Sequence, residues 1–424
     1  MVSFFQQAKA LDRDDVLAGF RNDFYHADDH LIYLDGNSLG RLPAATASWM
    51  EDVIKNQWGR DLIQSWNNHW FHLPQRLAAK LATLIGAQAD EVFIGDSTSI
   101  NFYKLAFAAL KHQAGKKNIL TDNLNFPSDY YLLQGLISES FPQHRLMLVQ
   151  SADGIVMDNE SWAKSLDAQT ALLTLSHVTF KSSFMYDMAK VNALAQTYDV
   201  PVLWDLSHAA GAVPLHLNRD QAQLAVGCTY KYLNGGPGSP AFLYVSKAMQ
   251  QKMVNPIWGW MGHSQPFEFD FNYQKAANTA GFAVGTPHIL SLAAIEPGLL
   301  LMEKAGMERL CAKSRALSFF FQEMIHQKLE PIGFKFASPN HPDQRGSHIS
   351  LRHPEGFRIS KALIQPEKGV KPIIPDFRPP DNIRFGIAPL YNSFTDLCEC
   401  AERLESIVLN KEFEAFNTIK EAVT

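Results

Sequence analysis

The chain has 424 residues, of which 46% are hydrophobic and 19% are charged, and its formal net charge is −5. This composition is ordinary for a globular protein and excludes a disordered chain, a collagen-like repeat and a small disulfide scaffold. The sequence carries no basic tail or stripe that would meet a phosphate backbone or an anionic membrane. We therefore expect neither nucleic acid nor a membrane as a partner.

The predicted elements begin with a short helical pattern near the N-terminus, followed by the turn-rich stretch Tyr33–Gly40. From about residue 70 to 285, short apolar runs alternate with helical patterns, which is typical of a mostly parallel sheet covered by helices on both faces. The predicted strands are Glu91–Ile94, Asn118–Leu120, Arg145–Val149, Ala171–Leu175, Val200–Trp204, Leu224–Gly227 and Ala241–Val245. The predicted helices between them are Ile100–His112, Asp129–Ser138, Asn159–Leu166 and Asp187–Tyr198.

After Pro287 the pattern changes to long helices and a few further strands. In chain order we predict helices at Leu290–Ala305 and Met307–Lys328, strands at Gly333–Ala337 and His348–Leu351, a proline-rich loop over 372–380, a strand at Asn382–Ile387 and a helix at Phe394–Leu409. The expected fold is α/β. A large domain with a mostly parallel seven-stranded sheet spans 61–290, a smaller α+β domain spans 291–424, and residues 1–60 contribute to the small domain.

The four cysteines, Cys228, Cys311, Cys398 and Cys400, form no C-x-x-C pair and fit neither a zinc site nor a disulfide framework. They are typical of buried thiols in a reducing compartment. The N-terminus has no basic region followed by an apolar stretch, and no window approaches the roughly 18 apolar residues of a membrane span. We expect a cytoplasmic protein.

The first candidate site follows the first predicted strand, where Ser97, Thr98 and Ser99 stand at the start of a helix. Free backbone N–H groups and hydroxyls at such a helix start suit a phosphate. The alternative is plain N-capping, because Ser and Thr are favoured caps.

The second candidate is Asp205, which ends a buried strand three residues before His208. A carboxylate there suits a cationic ring nitrogen, whereas the alternative is a helix cap. A metal site with His177 is a further alternative, but no paired histidine spacing supports it, so we expect no metal.

The third candidate is Lys231, between Tyr230 and Tyr232 after a buried strand and before a glycine-rich run. A lysine in aromatic, half-buried surroundings is costly unless it is engaged, and burial favours the neutral, nucleophilic amine. The alternative is a lysine that reaches out of a loop into solvent. A lysine, an acid and a phosphate turn at three strand ends of one sheet are what pyridoxal phosphate requires, so we predict that cofactor.

Two features of the remaining sequence suit a substrate. Arg384 alternates with Ile383 and Phe385 on a predicted strand, and a guanidinium held there clamps a carboxylate well; the alternative is a surface arginine on a half-exposed strand. The second feature is an aromatic cluster, which either lines a pocket for an aryl ring or packs in the core or in a dimer interface. It consists of Trp258, Trp260, Phe267, Phe269 and Phe271.

Six motifs together resemble the kynureninase family, within the aspartate-aminotransferase-like superfamily of pyridoxal-phosphate enzymes. They are LDGNSLG (34–40), DSTSIN (96–101), FPSD (126–129), WDLSHA (204–209), YKYLNGGPG (230–238) and RFGIAPLYNSF (384–394). The resemblance runs nearly end to end. It implies a pyridoxal-phosphate hydrolase that cleaves L-kynurenine, and 3-hydroxykynurenine as an open alternative, to an anthranilate and L-alanine in tryptophan catabolism. It also implies a homodimer with shared active sites.

The resemblance also implies roles for individual residues. Lys231 would be the Schiff-base lysine, Asp205 the partner of the ring nitrogen, and Tyr230 a phosphate ligand and proton carrier; these are the catalytic candidates. The remaining cofactor-binding candidates are Thr98, Ser99, Phe126, Pro127, Ser128, Asp129, Ser176 and His208, with Trp258 and Thr286 reaching the phosphate of the neighbouring subunit. Arg384 and Ser38 would bind the substrate.

One segment departs from the family pattern. Residues His177–Ser183 have the sequence HVTFKSS, where an Asn-Tyr pair and a Gly are usual. This difference bears on the cofactor contact assigned to Ser176 and on the shape of the loop. The rival functions are a cysteine desulfurase or aminotransferase of the same superfamily, and a non-enzymatic protein that keeps the fold for binding. A desulfurase needs a mobile catalytic thiol, whereas Cys311, Cys398 and Cys400 fall in predicted helices.

Overall fold

The computed structural model describes residues 3–25 and 30–419, apart from the side chains of residues 159 and 160. Its helices are α1 (Phe4–Arg13), α2 (Ala44–Asp52), α3 (Leu73–Ile85), α4 (Thr98–His112), α5 (Pro127–Glu139), α6 (Asn159–Ala163), α7 (Met188–Thr197), α8 (Lys247–Gln250), α9 (Ile289–Ala305), α10 (Met307–Met324), α11 (Gly356–Ile364) and α12 (Phe394–Leu409). Its strands are β1 (Ile32–Tyr33), β2 (Val92–Ile94), β3 (Asn118–Asp122), β4 (Arg145–Val149), β5 (Thr170–Ser176), β6 (Val202–Asp205), β7 (Leu224–Gly227), β8 (Phe242–Val245), β9 (Lys335–Phe336), β10 (His348–Arg352), β11 (Ile373–Ile374), β12 (Asp376–Arg378) and β13 (Asn382–Gly386).

Seven strands form the large sheet, in the order β2-β8-β7-β6-β5-β3-β4. All of its pairings are parallel except those of β8, which runs antiparallel to both neighbours. The prediction of a mostly parallel seven-stranded sheet is therefore confirmed, and each predicted strand coincides with an observed one within a few residues. Alternation along a strand sends successive side chains to opposite faces: Leu203 packs in the core with α4 and α5, and Trp204 packs in the core on the other face.

A smaller antiparallel sheet lies in the C-terminal third, in the order β12-β13-β10-β9, and β1 pairs with β11 in parallel beside it. Its core includes Ala8, Ile32 and Leu34 from the N-terminal segment, together with residues of α10, α11 and α12. In contrast, Leu292 and Ile295 of α9 pack in the core of the large sheet. The domain boundaries near 60 and 290 stay a prediction.

One prediction in this region was wrong. The proline-rich segment 372–380 is not only a loop, because it contains β11 and β12. Both strands are short, and β12 is the edge of its sheet, where a neighbouring proline costs no ladder hydrogen bond. Helices α2, α3, α8 and α11 had not been predicted.

The large sheet brings its functional ends to one edge. The carboxyl ends of β5, β6 and β7 point the same way, with Ser176 paired opposite Asp205 in the register of β5 and β6. Ligands of open α/β sheets bind at this edge. Within 3–25 and 30–419, no helix combines the length and apolar character needed to cross a bilayer.

Candidate active site

Lys231 lies in a turn just beyond β7, and its Nζ is 3.0 Å from Nε2 of His208. Asp205, the last residue of β6, is buried, and its Oδ1 accepts a hydrogen bond from the backbone N–H of Ser207 at 2.8 Å. This bond closes a turn and not the helix cap of the alternative interpretation, because residues 207–212 form turns instead of a helix, and it occupies one carboxylate oxygen. The lysine and the acid are close enough for both of their charges to act on Asp129.

The charges of this group are strongly perturbed. Burial, and then repulsion from Asp205, raise the pKa of the Asp129 carboxyl well above its usual range, while Lys231 opposes the shift. Burial, and then the charge of Lys231, lower the pKa of His208 well below its usual range, so its imidazole is neutral. Burial also raises the pKa of the Tyr230 phenol, whose ring centroid is 5.9 Å from the Lys231 Nζ. Asp129 Oδ2 and His208 Nδ1 are enclosed without hydrogen-bond partners among the described residues.

The predicted phosphate turn lies at the start of α4. Ser97 fills the N-cap, because its Oγ accepts from the backbone N–H of Ile100 at 3.3 Å. Ser97 therefore supplies the N-cap, and the hydroxyls of Thr98 and Ser99 in the first turn are not needed for capping. The Oγ of Ser99 is 3.2 Å from that of Ser128, which lies in the first turn of α5. Two helix N-termini with their hydroxyls thus meet next to Asp129.

A buried lysine, Lys104, bonds to the residue that precedes this turn and to a distant carbonyl. Lys104 of α4 is 0% exposed, and its Nζ donates to Asp96 Oδ2 at 2.5 Å and to the backbone carbonyl of Phe282 at 2.8 Å. Asp96 itself has a positive φ of 53°. The ion pair therefore fixes an unusual backbone conformation just before the hydroxyl-bearing turn.

The aromatic candidate, Phe126, is the N-cap residue of α5, with Pro127 as the first helical residue. Its ring is 43% exposed and meets Phe180 edge to face at a centroid distance of 5.3 Å. Ser176 ends β5, and its backbone N–H donates to Oδ1 of Asn125 at 2.5 Å. Asn125 also donates to the Thr174 carbonyl and to the Thr121 hydroxyl, so it ties the ends of β3 and β5 together.

Arg384 is 1% exposed, which excludes the surface arginine on a half-exposed strand. Its Nε donates to Asp376 Oδ2 at 2.5 Å, and Nη2 contacts the same oxygen. Nη1 donates to the carbonyl of Phe180 at 2.5 Å, and Nη2 donates to Oγ of Ser38 at 3.3 Å. Asp376 thus holds the Nε–Nη2 edge of the guanidinium, and Nη1 and Nη2 also donate to two neutral acceptors, the Phe180 carbonyl and the Ser38 hydroxyl.

Two candidates lie outside this group in the single chain. Trp258 is 63% exposed and stacks on Tyr273 at 5.0 Å, and Thr286 is exposed in a cleft beside Gly95 and Asp96. The predicted aromatic cluster to which Trp258 belongs is largely exposed. No group of three potential metal ligands occurs in the described part of the chain.

The unusual segment 177–183 joins the two sheets. The carbonyl of Phe180 accepts from Arg384, and the carbonyl of Lys181 accepts from Ser350 Oγ. Ser183 occupies a left-handed conformation with φ of 69°. It is fully buried, and its hydroxyl has no partner among the described residues.

Comparison with known proteins identifies the family. A family model described as the Kynureninase C-terminal domain matches residues 310–404. A kynureninase of Burkholderia mallei (strain SAVP1) is 40% identical over 415 residues, covering 97% of both chains, and one of Pseudomonas fluorescens is 40% identical over 98% of both. The chain belongs to the kynureninase family. The family predicted from the motifs is therefore confirmed.

Solved structures also share the fold of this kynureninase family member. A mutant of C-DES, with glycine covalently linked to the PLP cofactor, matches with a TM-score of 0.80 at 18% identity, covering 91% of this chain and 98% of that one. An apo cysteine desulfurase from Thermococcus onnurineus NA1 matches with a TM-score of 0.78 at 16% identity, covering 92% and 98%. At these identities the likeness shows the fold alone, and it confirms the predicted fold class.

Three residues of the site were missed from the sequence. Asn125 had no signal beyond its place after a strand. Asp376 lies in the segment predicted as a loop. Asp35, whose backbone bridges to Gly386 two residues beyond Arg384, belongs to a recognised motif, but nothing in its spacing pointed to Arg384.

Proposed function

We propose that this chain is a kynureninase, which hydrolyses L-kynurenine to anthranilate and L-alanine with pyridoxal phosphate as its cofactor. The observation that carries the proposal is the group formed by Lys231, His208, Asp205 and Asp129 at the carboxyl edge of the large sheet. It adjoins a hydroxyl-lined pair of helix N-termini. Membership of the kynureninase family supports the reaction itself.

The residues at this edge fit the proposed cofactor. Asp129 Oδ2 and His208 Nδ1 are enclosed polar atoms without partners among the described residues, and a polar aromatic ligand would satisfy them. Asp205 has a carboxylate oxygen left for a protonated ring nitrogen. Thr98, Ser99 and Ser128, with the N-terminus of α4, would bind the phosphate, and the exposed Phe126 ring would stack on the cofactor.

When bound, pyridoxal phosphate supplies an electron sink for bond cleavage next to the amino-acid carbon. The Lys231 amine holds the cofactor and then accepts and returns the proton of the substrate α-carbon. Nε2 of the neutral His208, 3.0 Å from Lys231 Nζ, accepts a hydrogen bond from the amine and so orients it without placing a second positive charge beside it. Tyr230, whose phenol stays protonated because its pKa is raised, donates a proton to the leaving fragment.

Arg384 would bind the carboxylate of the substrate through its Nη1–Nη2 edge, with Ser38 at its side. Asp376 holds the guanidinium in place through Nε and Nη2. The choice between kynurenine and 3-hydroxykynurenine depends on the aryl end of the pocket. A competition assay with both substrates decides it.

The cysteines disfavour the desulfurase alternative. Cys228, Cys311, Cys398 and Cys400 are all buried, and burial raises the pKa of Cys311 to about 12 and that of Cys398 to about 11. These thiols lack the exposure and the thiolate character of a catalytic cysteine. Free thiols also support our proposed location in a reducing compartment such as the cytoplasm.

The test is to mix the protein with pyridoxal phosphate and L-kynurenine and to follow anthranilate fluorescence, with alanine measured in parallel. We expect the two products in equal amounts, and we expect Lys231→Ala to lower kcat by at least about 10³-fold because it removes the amine. Lys111→Ala, an exposed lysine in the last turn of α4, serves as the control and keeps full activity. A Lys231→Ala protein as fast as this control would refute the assignment.

We further propose that the active form is a homodimer to which Trp258 and Thr286 contribute phosphate contacts across the interface. Exposed apolar side chains on the single chain support an interface; they include Trp58, Ile63, Trp258, Phe267, Phe269 and Phe271. Sedimentation measures the assembly. Mixing and re-equilibrating the inactive Lys231→Ala protein with an inactive Thr286→Val protein should regain activity in mixed dimers, and a strictly monomeric active species would overturn the proposal.

A further inference from the structure

Four charged side chains meet around the proposed carboxylate site: Asp35, Asp376, Arg378 and Arg384. Asp376 and Arg384 stand directly opposite each other in the register of β12 and β13, and Arg378 Nε lies 3.1 Å from the same Asp376 oxygen. When all four are ionised, their charges cancel.

Asp35 enters this cluster from the N-terminal segment. It bridges in parallel to Gly386, two residues beyond Arg384, and its backbone carbonyl accepts from Ser38 N–H at 3.0 Å. The same Ser38 accepts from Arg384 through its hydroxyl. Oδ1 of Asp35 is enclosed without a hydrogen-bond partner among the described residues, an arrangement that suits a neutral carboxyl better than a carboxylate.

The charges that face Asp35 come from each neighbouring element. Burial raises its pKa to about 7, and repulsion from Asp376 is the next cause; Ser38, Arg384 and Arg378 lower it. The surrounding phenols bring no charge, because burial raises the pKa of each of them: Tyr33, Tyr232 and Tyr391.

A substrate carboxylate changes this balance. The cluster would then hold three carboxylates against two guanidiniums in a site where Arg384 is 1% and Asp376 is 4% exposed. An uncompensated buried charge is expensive, and a group with a nearby like charge resolves the cost by taking a proton. Asp376 is held by Arg384 and Arg378, whereas Asp35 has the unpartnered oxygen.

We propose that Asp35 takes up a proton from solvent when the substrate carboxylate binds Arg384, and that Asp35 is therefore a positioning residue for carboxylate recognition. The inference rests on the proposed function, which supplies the ligand of Arg384. Asp35 then acts through Arg384. As a neutral acid it carries no charge that competes with Asp376 and the substrate carboxylate for the guanidinium.

Proton uptake is measured by isothermal titration calorimetry of the holoenzyme in two buffers of different ionisation enthalpy. The probe is 4-(2-aminophenyl)-4-oxobutanoate, which is kynurenine without its α-amino group and therefore does not react with the cofactor; its primary amide is the matched neutral ligand. At pH 8, where free Asp35 is mostly ionised, we expect about one proton per site with the carboxylate and none with the amide. At pH 6 the uptake falls, because Asp35 already carries its proton.

Asp35→Asn imitates the protonated acid, so it should bind the carboxylate probe at pH 8 but lose most of the uptake. The control Asp381→Asn, which changes a half-exposed acid paired with Arg352 in the same sheet, should keep the wild-type uptake. Equal uptake by Asp35→Asn and wild type overturns the inference. If that variant does not fold, equal uptake of carboxylate and amide by the wild type overturns it. If Arg384→Met leaves carboxylate affinity unchanged, the proposed role of Arg384 has failed instead.

Discussion

The buried ion pair of Arg384 and Asp376 gives a stability prediction with a built-in asymmetry. Asp376→Asn deprives both Arg384 and Arg378 of their shared carboxylate, whereas Arg384→Met leaves Asp376 with Arg378 at 3.1 Å. Removing one partner of a buried pair costs roughly 3–5 kcal/mol. We expect Asp376→Asn at the upper end of this range and Arg384→Met at the lower end. Residues of one pair are coupled, so the double variant should cost less than the sum by about 1–3 kcal/mol.

The free energy of unfolding is measured by urea titration of the four proteins at one pH. Arg352→Met is the matched control, because Arg352 pairs with Asp381 in the same sheet but its side chain is 44% exposed. An exposed pair contributes about 0–1 kcal/mol, so this variant should unfold close to wild type. If Arg384→Met were no more costly than Arg352→Met, or if the two buried changes were simply additive, the assignment of this pair as a stabilising unit would be refuted.

Three further variants test the surroundings of the site, two by urea unfolding and one by cofactor binding. Ser183→Gly should stabilise the protein by about 1 kcal/mol, because glycine tolerates the left-handed φ and removes a buried, unpartnered hydroxyl; a loss of stability would contradict this. Asn125→Ala should destabilise the protein by about 2–4 kcal/mol, since it leaves the Ser176 N–H and the Thr174 carbonyl without the hydrogen bonds of Asn125. A change below about 1 kcal/mol would contradict that role. Lys104→Met should raise the dissociation constant of pyridoxal phosphate, measured by absorbance, because Asp96 loses its ion-pair partner. An unchanged dissociation constant would contradict a supporting role of Lys104 for the turn at Thr98 and Ser99.

Much of the large sheet could be predicted from the sequence, because its strands apart from the edge strand β4 are largely buried and read as apolar runs between helical patterns. The short strands β11 and β12 could not be predicted, since prolines around them argue against a strand and β11 pairs with β1, more than 300 residues earlier in the chain. Helix α12, which begins at Phe394 with Ser393 as its cap, was predicted to the residue because capping box and periodicity agree.

The candidate site divides in the same way. Lys231, Asp205 and the Thr98–Ser99 turn follow strands of one parallel sheet, so a rule about strand ends was enough to group them. Asp376 and Asn125 act through contacts between segments that are far apart in the chain or outside any motif, and neither has a periodic signal. Only the register of β12 and β13 sets Asp376 opposite Arg384.

The small sheet holds the loop after β5 by its main chain. Arg384 and Ser350, opposite each other on β13 and β10, bond to the carbonyl oxygens of Phe180 and Lys181 and not to their side chains. The side chains of Phe180 and Lys181 can therefore be exchanged without removing these two hydrogen bonds. Segment 177–183, which departs from the family pattern, is thus a place where side chains at the edge of the site can change while the main-chain contacts to Arg384 and Ser350 stay the same.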